Sequence, residues 1–299
     1  MNTKIQKPDS FLWKSYFVAC GILSLICWNS VLNLMEYTGS KLGSFGSFMT
    51  FGFSMGSLFS FFIAPMILGH LTHRKACTIA LTLTFVAFFA FFFTINVIEQ
   101  ETVKGIAALA LIFTAGFFGS FFQSKCIGLA ASASNSEVVL YNFGTGLAGV
   151  STCLYSFFNN MIFPLDVDDR LAAEQKQLYS YLAFLLVFAL IFVLIENRYE
   201  KTHAHYFDTK EELQIEAPLN DDRYNDDAQA TASNMTIITR CMDLYLGLVL
   251  QYVIVLICVA HFAYATYAIF DTKAKYMFPI YLLFFNIFDA AGKFIMPSL

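Results

Sequence analysis

Charge is scarce in this chain: 13% of its 299 residues are Asp, Glu, Lys or Arg, against 58% that are hydrophobic. A soluble domain of ordinary composition carries about twice that share of charge, and the mean hydropathy of +0.61 points the same way. A soluble globular class is thereby excluded and a polytopic membrane protein expected. The few basic residues form no patch with interleaved aromatics outside the apolar segments, and the net charge is only -4, which argues against nucleic-acid binding. No disulfide framework is legible either. All seven cysteines (Cys20, Cys27, Cys77, Cys126, Cys153, Cys241, Cys258) lie in or at the ends of apolar segments, so cysteine usage does not set a compartment. The polar start MNTKIQKPDSFLWK leads into an apolar run with no small-residue cleavage site behind it, which reads as a first transmembrane helix and not a removed signal.

Apolar length is abundant. A spanning helix needs about twenty mostly apolar residues, and this predicts eight helices at roughly 15–36, 45–69, 77–98, 105–131, 137–163, 178–196, 244–270 and 276–297. The fold class expected is therefore all-α, with the 35 phenylalanines filling helix interfaces and meeting lipid. Residues 197–240 are polar and acidic, with Glu211-Glu212, Asp221-Asp222 and Asp226-Asp227, and read as a disordered cytoplasmic loop. It divides a six-helix region, 1–196, from a two-helix region, 241–299. Lys4, Lys7, Lys14, Arg74, Lys75, Arg198, Lys201 and Arg240 share one side if the N-terminus is cytoplasmic, and the positive-inside bias favours that orientation. Plasma and internal membranes fit equally well.

Against this background the informative residues are polar ones inside spans. An unpaired polar group in hydrocarbon costs several kcal/mol, so such residues face protein or a cavity. Gln123 offers a donor and an acceptor, the complement of a nucleobase edge, with an interhelical hydrogen bond as the plain alternative. Trp28, placed mid-span and away from the interfacial belts, suits an aromatic wall or core packing. Asn29, Asn33 and Glu36 recur at i, i+4, i+7 and give the first helix a polar outer face. Asn286, Asp289 and Lys293 share a narrow arc of the last helix near mid-depth.

Lys125 reads as snorkelling to the cytoplasmic surface, with Glu137 as an alternative partner. Gly116, Gly119, Gly144, Gly146 and Gly149 permit close helix approach. His70 and His73 offer too few ligands for a metal and read as solvated. Gly144-x-Gly146-x-x-Gly149, followed by Asp166 and Asp168, matches the dinucleotide fingerprint but lacks the preceding strand and is rejected. Gly52-x-Ser54-x-Gly56 with His261 gives a third-ranked reading, an intramembrane serine hydrolase.

Taken together, Trp28-Asn29, Gln123 with Gly128-Leu129-Ala130, Gly144-Thr145-Gly146-Leu147-Ala148-Gly149, and Phe285-Asn286-Ile287-Phe288-Asp289 with Gly292-Lys293 resemble the equilibrative nucleoside transporter family. The resemblance implies a major-facilitator-like bundle whose members normally have eleven spans, so about eight of them are present. It also implies alternating access, no enzymatic activity and no cofactor. The substrate would be a nucleoside or nucleobase, moved down its gradient or coupled to protons through groups such as Glu36 and Asp289. Substrate contacts would be Trp28, Asn29, Asn33, Gln123, Asp289 and Lys293. Lys293 stands where the family has Arg, the segment Ser132 to Glu137 lacks the usual Pro, and Ala290-Ala291 replace a bulkier pair. The second-ranked expectation is a truncated, transport-incompetent relative.

Overall fold

The computed structural model describes residues 11–68, 71–163, 175–195 and 274–295. Among them every regular element is helical: α1 (Phe11–Asn33), α2 (Met35–Leu42), a 3-10 turn (Gly43–Phe48), α3 (Met49–Leu68), α4 (His73–Val97), α5 (Glu101–Ala133), α6 (Asn135–Ile162), α7 (Gln175–Ile195) and α8 (Ala274–Ile295). Helix satisfies each backbone N–H and C=O within its own segment, which hydrocarbon requires. The helices α1, α4, α5, α6 and α7 are long and apolar enough to cross a membrane; the segments Tyr37–Gly46 and Met49–Ala64 add a sixth span if their 76° bend lies within one crossing. The expected span 244–270 and the loop 197–240 lie outside the described residues, as do His70, Asp166, Asp168 and His261.

Apart from Ala274 and Lys275 at the start of α8, the described helices belong to one compact unit, Pro8–Tyr199 with Tyr276–Leu299. Within it α1 runs along α6, while α3 and α4 both run along α5. Lipid tails are as apolar as leucine, so hydrophobicity does not hold spans together and close packing must. Glycine supplies it at two crossings. A Cβ on Gly21 would lie 2.9 Å from the Gly144 Cα, and one on Gly144 would lie 3.1 Å from the Gly21 Cα and overlap the Val18 carbonyl. Likewise a Cβ on Gly56 would overlap the Phe113 carbonyl, and one on Gly116 would overlap that of Phe53. Gly119 has ordinary room, its nearest neighbour being Thr84 at 3.7 Å, so the expectation of tight packing does not hold there.

The phenylalanines divide by side. Phe88, Phe91 and Phe92 of α4 are buried, whereas Phe61, Phe62 and Met66 of α3 and Leu186, Val187, Leu190 and Leu194 of α7 are exposed apolar surface, as lipid contact requires. Between α5 and α6 a single residue, Ser134, makes the turn: it is extended (φ -178°, ψ 173°) and its hydroxyl accepts from the Ser136 N–H, capping α6. That capped turn is built without the proline whose absence the sequence shows.

Candidate functional site

The small polar residues of α6 recur at Thr145, Gly149, Thr152, Ser156 and Asn159, spaced i, i+4, i+7, i+11, i+14, and so form one stripe. Thr145, Thr152, Ser156 and Asn159 are all buried. Against the stripe comes the C-terminal end of α1: Asn33 donates from Nδ2 to the Asn29 carbonyl (2.8 Å) and to the Thr152 hydroxyl (3.3 Å). From the other side comes α8. Asn286 donates to the Leu282 carbonyl (2.7 Å) and sits 3.6 Å from the Cys153 sulfur. A Cβ on Gly149 would overlap the Asn286 amide, and one on Gly146 would lie 2.5 Å from the Ala290 Cβ. Rising along α6 from Gly146 to Cys153, the α8 partners fall from 290 to 286, so the two helices run antiparallel.

Asn33, Thr152, Cys153 and Asn286 thus meet near the midpoint of α6. Two buried acceptors along the stripe are unused: the Oδ1 of Asn33 here, and that of Asn159 farther toward the C-terminal end of α6. A buried amide oxygen without a donor is costly, and a ligand N–H or O–H would satisfy it. The seam is closed on its far side by α7, whose buried Tyr181 donates to the Thr152 carbonyl (3.0 Å). Toward the other end of the crossing, the Tyr141 hydroxyl donates to Ser24 (3.1 Å).

The six residues singled out from sequence are distributed around this seam. Asn29 and Asn33 belong to it. Glu36 lies on α2, beyond the break at Leu34 (φ -99°, ψ 17°) that ends α1 at Asn33, and its side chain lies outside the described ones. Asp289 is half-buried on α8, between Asn286 and Ala290, which face α6. The backbone of Lys293 lies on α8 and its side chain lies outside the described ones. Trp28 turns the other way. It is half-buried and stacks on Phe53 of α3, with ring centroids 4.2 Å apart and planes at 18°. Gln123 is half-buried, without a hydrogen-bond partner among the described residues, so it is not consumed by the interhelical bond that was its plain alternative. It lies seven residues beyond Gly116, which packs on Phe53; Gln123 and the Trp28 level are therefore separated by roughly 10 Å of helix rise.

Two expectations need correction, one at the start of α6 and one at the start of α4. Glu137 is buried and is bound by Trp13, whose Nε1 donates to it (2.9 Å), by Ser136 (2.8 Å) and by Ser134. It makes no ion pair with Lys125, which instead lies over the Phe121 ring, 5.7 Å from its centroid. His73 is not a solvated loop residue. It opens α4 half-buried, with Nε2 3.5 Å from the Cys77 sulfur. Among the described residues no group of His, Cys, Asp or Glu is arranged to hold a metal ion. Trp13 and Glu137 are 124 residues apart and share no local pattern, so no sequence signal pairs them.

The two short motifs are helix interior. Gly144, Gly146 and Gly149 lie within α6 and are filled by α1 and α8, and Gly56 of the G-x-S-x-G match is occupied by α5 backbone. Compared with known proteins, the chain matches no family model, no curated protein and no solved structure. The resemblance to the equilibrative nucleoside family therefore rests on its own motif residues.

Proposed function

We propose that this chain carries nucleosides or nucleobases across a membrane by alternating access, with the seam between α1, α6 and α8 as its substrate site. The observation that carries the reading is the convergence of Asn33, Thr152, Cys153 and Asn286 midway along α6, with an unsatisfied amide oxygen on Asn33. Structural polar groups in spans normally find partners, and the two buried acceptors left over, on Asn33 and Asn159, both lie along the α6 stripe, which supports a ligand path there. Amides and a hydroxyl suit a neutral, flat solute rich in donors and acceptors better than an ion. Half-buried Asp289, one helical turn from Asn286, supplies the acceptor for ribose hydroxyls and a group through which protons could couple. Gln123 and Trp28 extend the path toward the other side of the membrane, and Lys293 completes the α8 arc. Rocking of helix groups about a fixed mid-depth site is the ordinary means by which such bundles alternate access.

Tracer uptake into liposomes containing the full chain tests this. Saturable uptake of labelled adenosine or uridine, competed by unlabelled nucleoside and lost in Asp289→Asn, is expected. Uptake indistinguishable from that of empty liposomes would refute it.

A further inference from the structure

We propose that the α6 stripe holds a second resting position for the solute, at Ser156 and Asn159 beside α7, where an N–H or O–H of the nucleoside binds on its way to or from Asn33. This rests on the nucleoside reading and deepens it. Asn159 is buried, and its Oδ1 has no hydrogen-bond partner. Its amide cannot turn over to mend this, because Nδ2 donates to the Gln177 carbonyl (2.9 Å), which can only accept. Nor does Gln177 supply the missing donor, since its own amide donates to the Asn160 Oδ1 (3.0 Å) and the Phe163 carbonyl (2.6 Å).

Ser156, about one turn before Asn159, is buried too, and its hydroxyl has no partner among the described residues. A helical serine commonly bonds back to the carbonyl four residues before it. Here that carbonyl belongs to Thr152, and besides its place in the α6 ladder it accepts from the Tyr181 hydroxyl (3.0 Å), which occupies both lone pairs. An unused acceptor and an unused hydroxyl therefore stand three residues apart on one face of α6.

A solute seated at Asn33 does not serve them. Thr152, which Asn33 contacts, is seven residues from Asn159, roughly 10 Å of helix rise. Because α8 runs antiparallel to α6, with Ala290 against Gly146 and Asn286 against Gly149, Asp289 lies on the side of that level away from Asn159. A nucleoside with its base at Asn33 and its ribose at Asp289 thus extends away from Asn159. Ser156 and Asn159 are reached once the solute moves toward the C-terminal end of α6.

The test uses the full chain in liposomes, with adenosine as the probe. Ser156→Ala deletes a hydroxyl that bonds nothing in the protein, so a merely structural role predicts no change. A roughly two- to tenfold rise in the adenosine concentration for half-maximal uptake is expected, the worth of one hydrogen bond, at an unchanged thermal unfolding temperature. Ser156→Cys gives a second readout: a small polar thiol reagent should label this variant faster than the native chain, whose described cysteines are buried. Saturating adenosine should slow that labelling, both alone and when Asn33→Ala is added. Unchanged half-saturation in Ser156→Ala, or labelling of the introduced thiol that adenosine does not slow, would overturn the proposal. Protection that disappears with Asn33→Ala would overturn it too, because it would show one position and not two. In each of these cases the native chain still takes up adenosine, and only this inference fails. Absence of saturable uptake by the native chain would remove the nucleoside reading with it.

Discussion

The seam between α1 and α6 and the seam between α3 and α5 use one packing device and carry different chemistry. Each is a glycine crossing in which backbone meets backbone, Gly21 on Gly144 in the first and Gly56 on Gly116 in the second. Around the first gather Ser24, Tyr141, Asn33, Thr152 and, through α8, Asn286. Around the second gather Phe53, Phe59, Phe113 and Phe117, with Ser57 turned back onto the Phe53 and Gly116 carbonyls. Close packing therefore does not require polar side chains. Where they accumulate beyond what packing uses, as at Asn33, they are the residues on which the proposed substrate site rests.

The largest expected effect ignores this difference. Gly144→Leu and Gly116→Leu should each remove folded protein from the membrane, because a side chain would have to displace backbone on the facing helix, a cost of about 3 kcal/mol or more. Detergent-extracted monodisperse yield measures it. Survival of one variant and loss of the other would mean that the crossings are not equivalent.

The next effect separates function from fold. Asp289→Asn is isosteric and should leave yield near native while abolishing nucleoside uptake, whereas Lys293→Arg should keep uptake, since it restores the guanidinium that the resembled family carries. Normal uptake by Asp289→Asn would remove α8 from the site.

A smaller effect concerns the buried carboxylate that the seam does not use. Trp13→Phe deletes the indole donor to Glu137 and should cost about 1–3 kcal/mol of stability, seen as a lowered thermal unfolding temperature, with unaltered apparent affinity for nucleoside. A change in affinity at unchanged stability would move Glu137 into the transport path.

What the sequence makes legible follows from the range of each signal. Apolar length sets α1 and α3 to α8 to within a few residues but misses the short α2 between them, and the α6 stripe from Thr145 to Asn159 is a purely local period. Gly144 and Gly116 are readable as contact points because small residues in spans have few other uses. Pairings across the chain are not legible. Nothing local joins Trp13 to Glu137 or Phe53 to Trp28, and His73 looks solvated until Cys77 is seen one turn along α4. The separation of Glu36 from Asn33 was hidden for a related reason: a helix interruption at Leu34 has no glycine or proline to announce it.

The most direct test of the claim that the polar seam is the site and the phenylalanine seam is scaffold is nucleoside uptake by Asn33→Ala and Ser57→Ala at matched surface expression. Asn33→Ala should lower apparent affinity about tenfold, the worth of a buried hydrogen bond to ligand, and Ser57→Ala should change it less than twofold. Equal effects, or a loss confined to Ser57→Ala, would contradict the account.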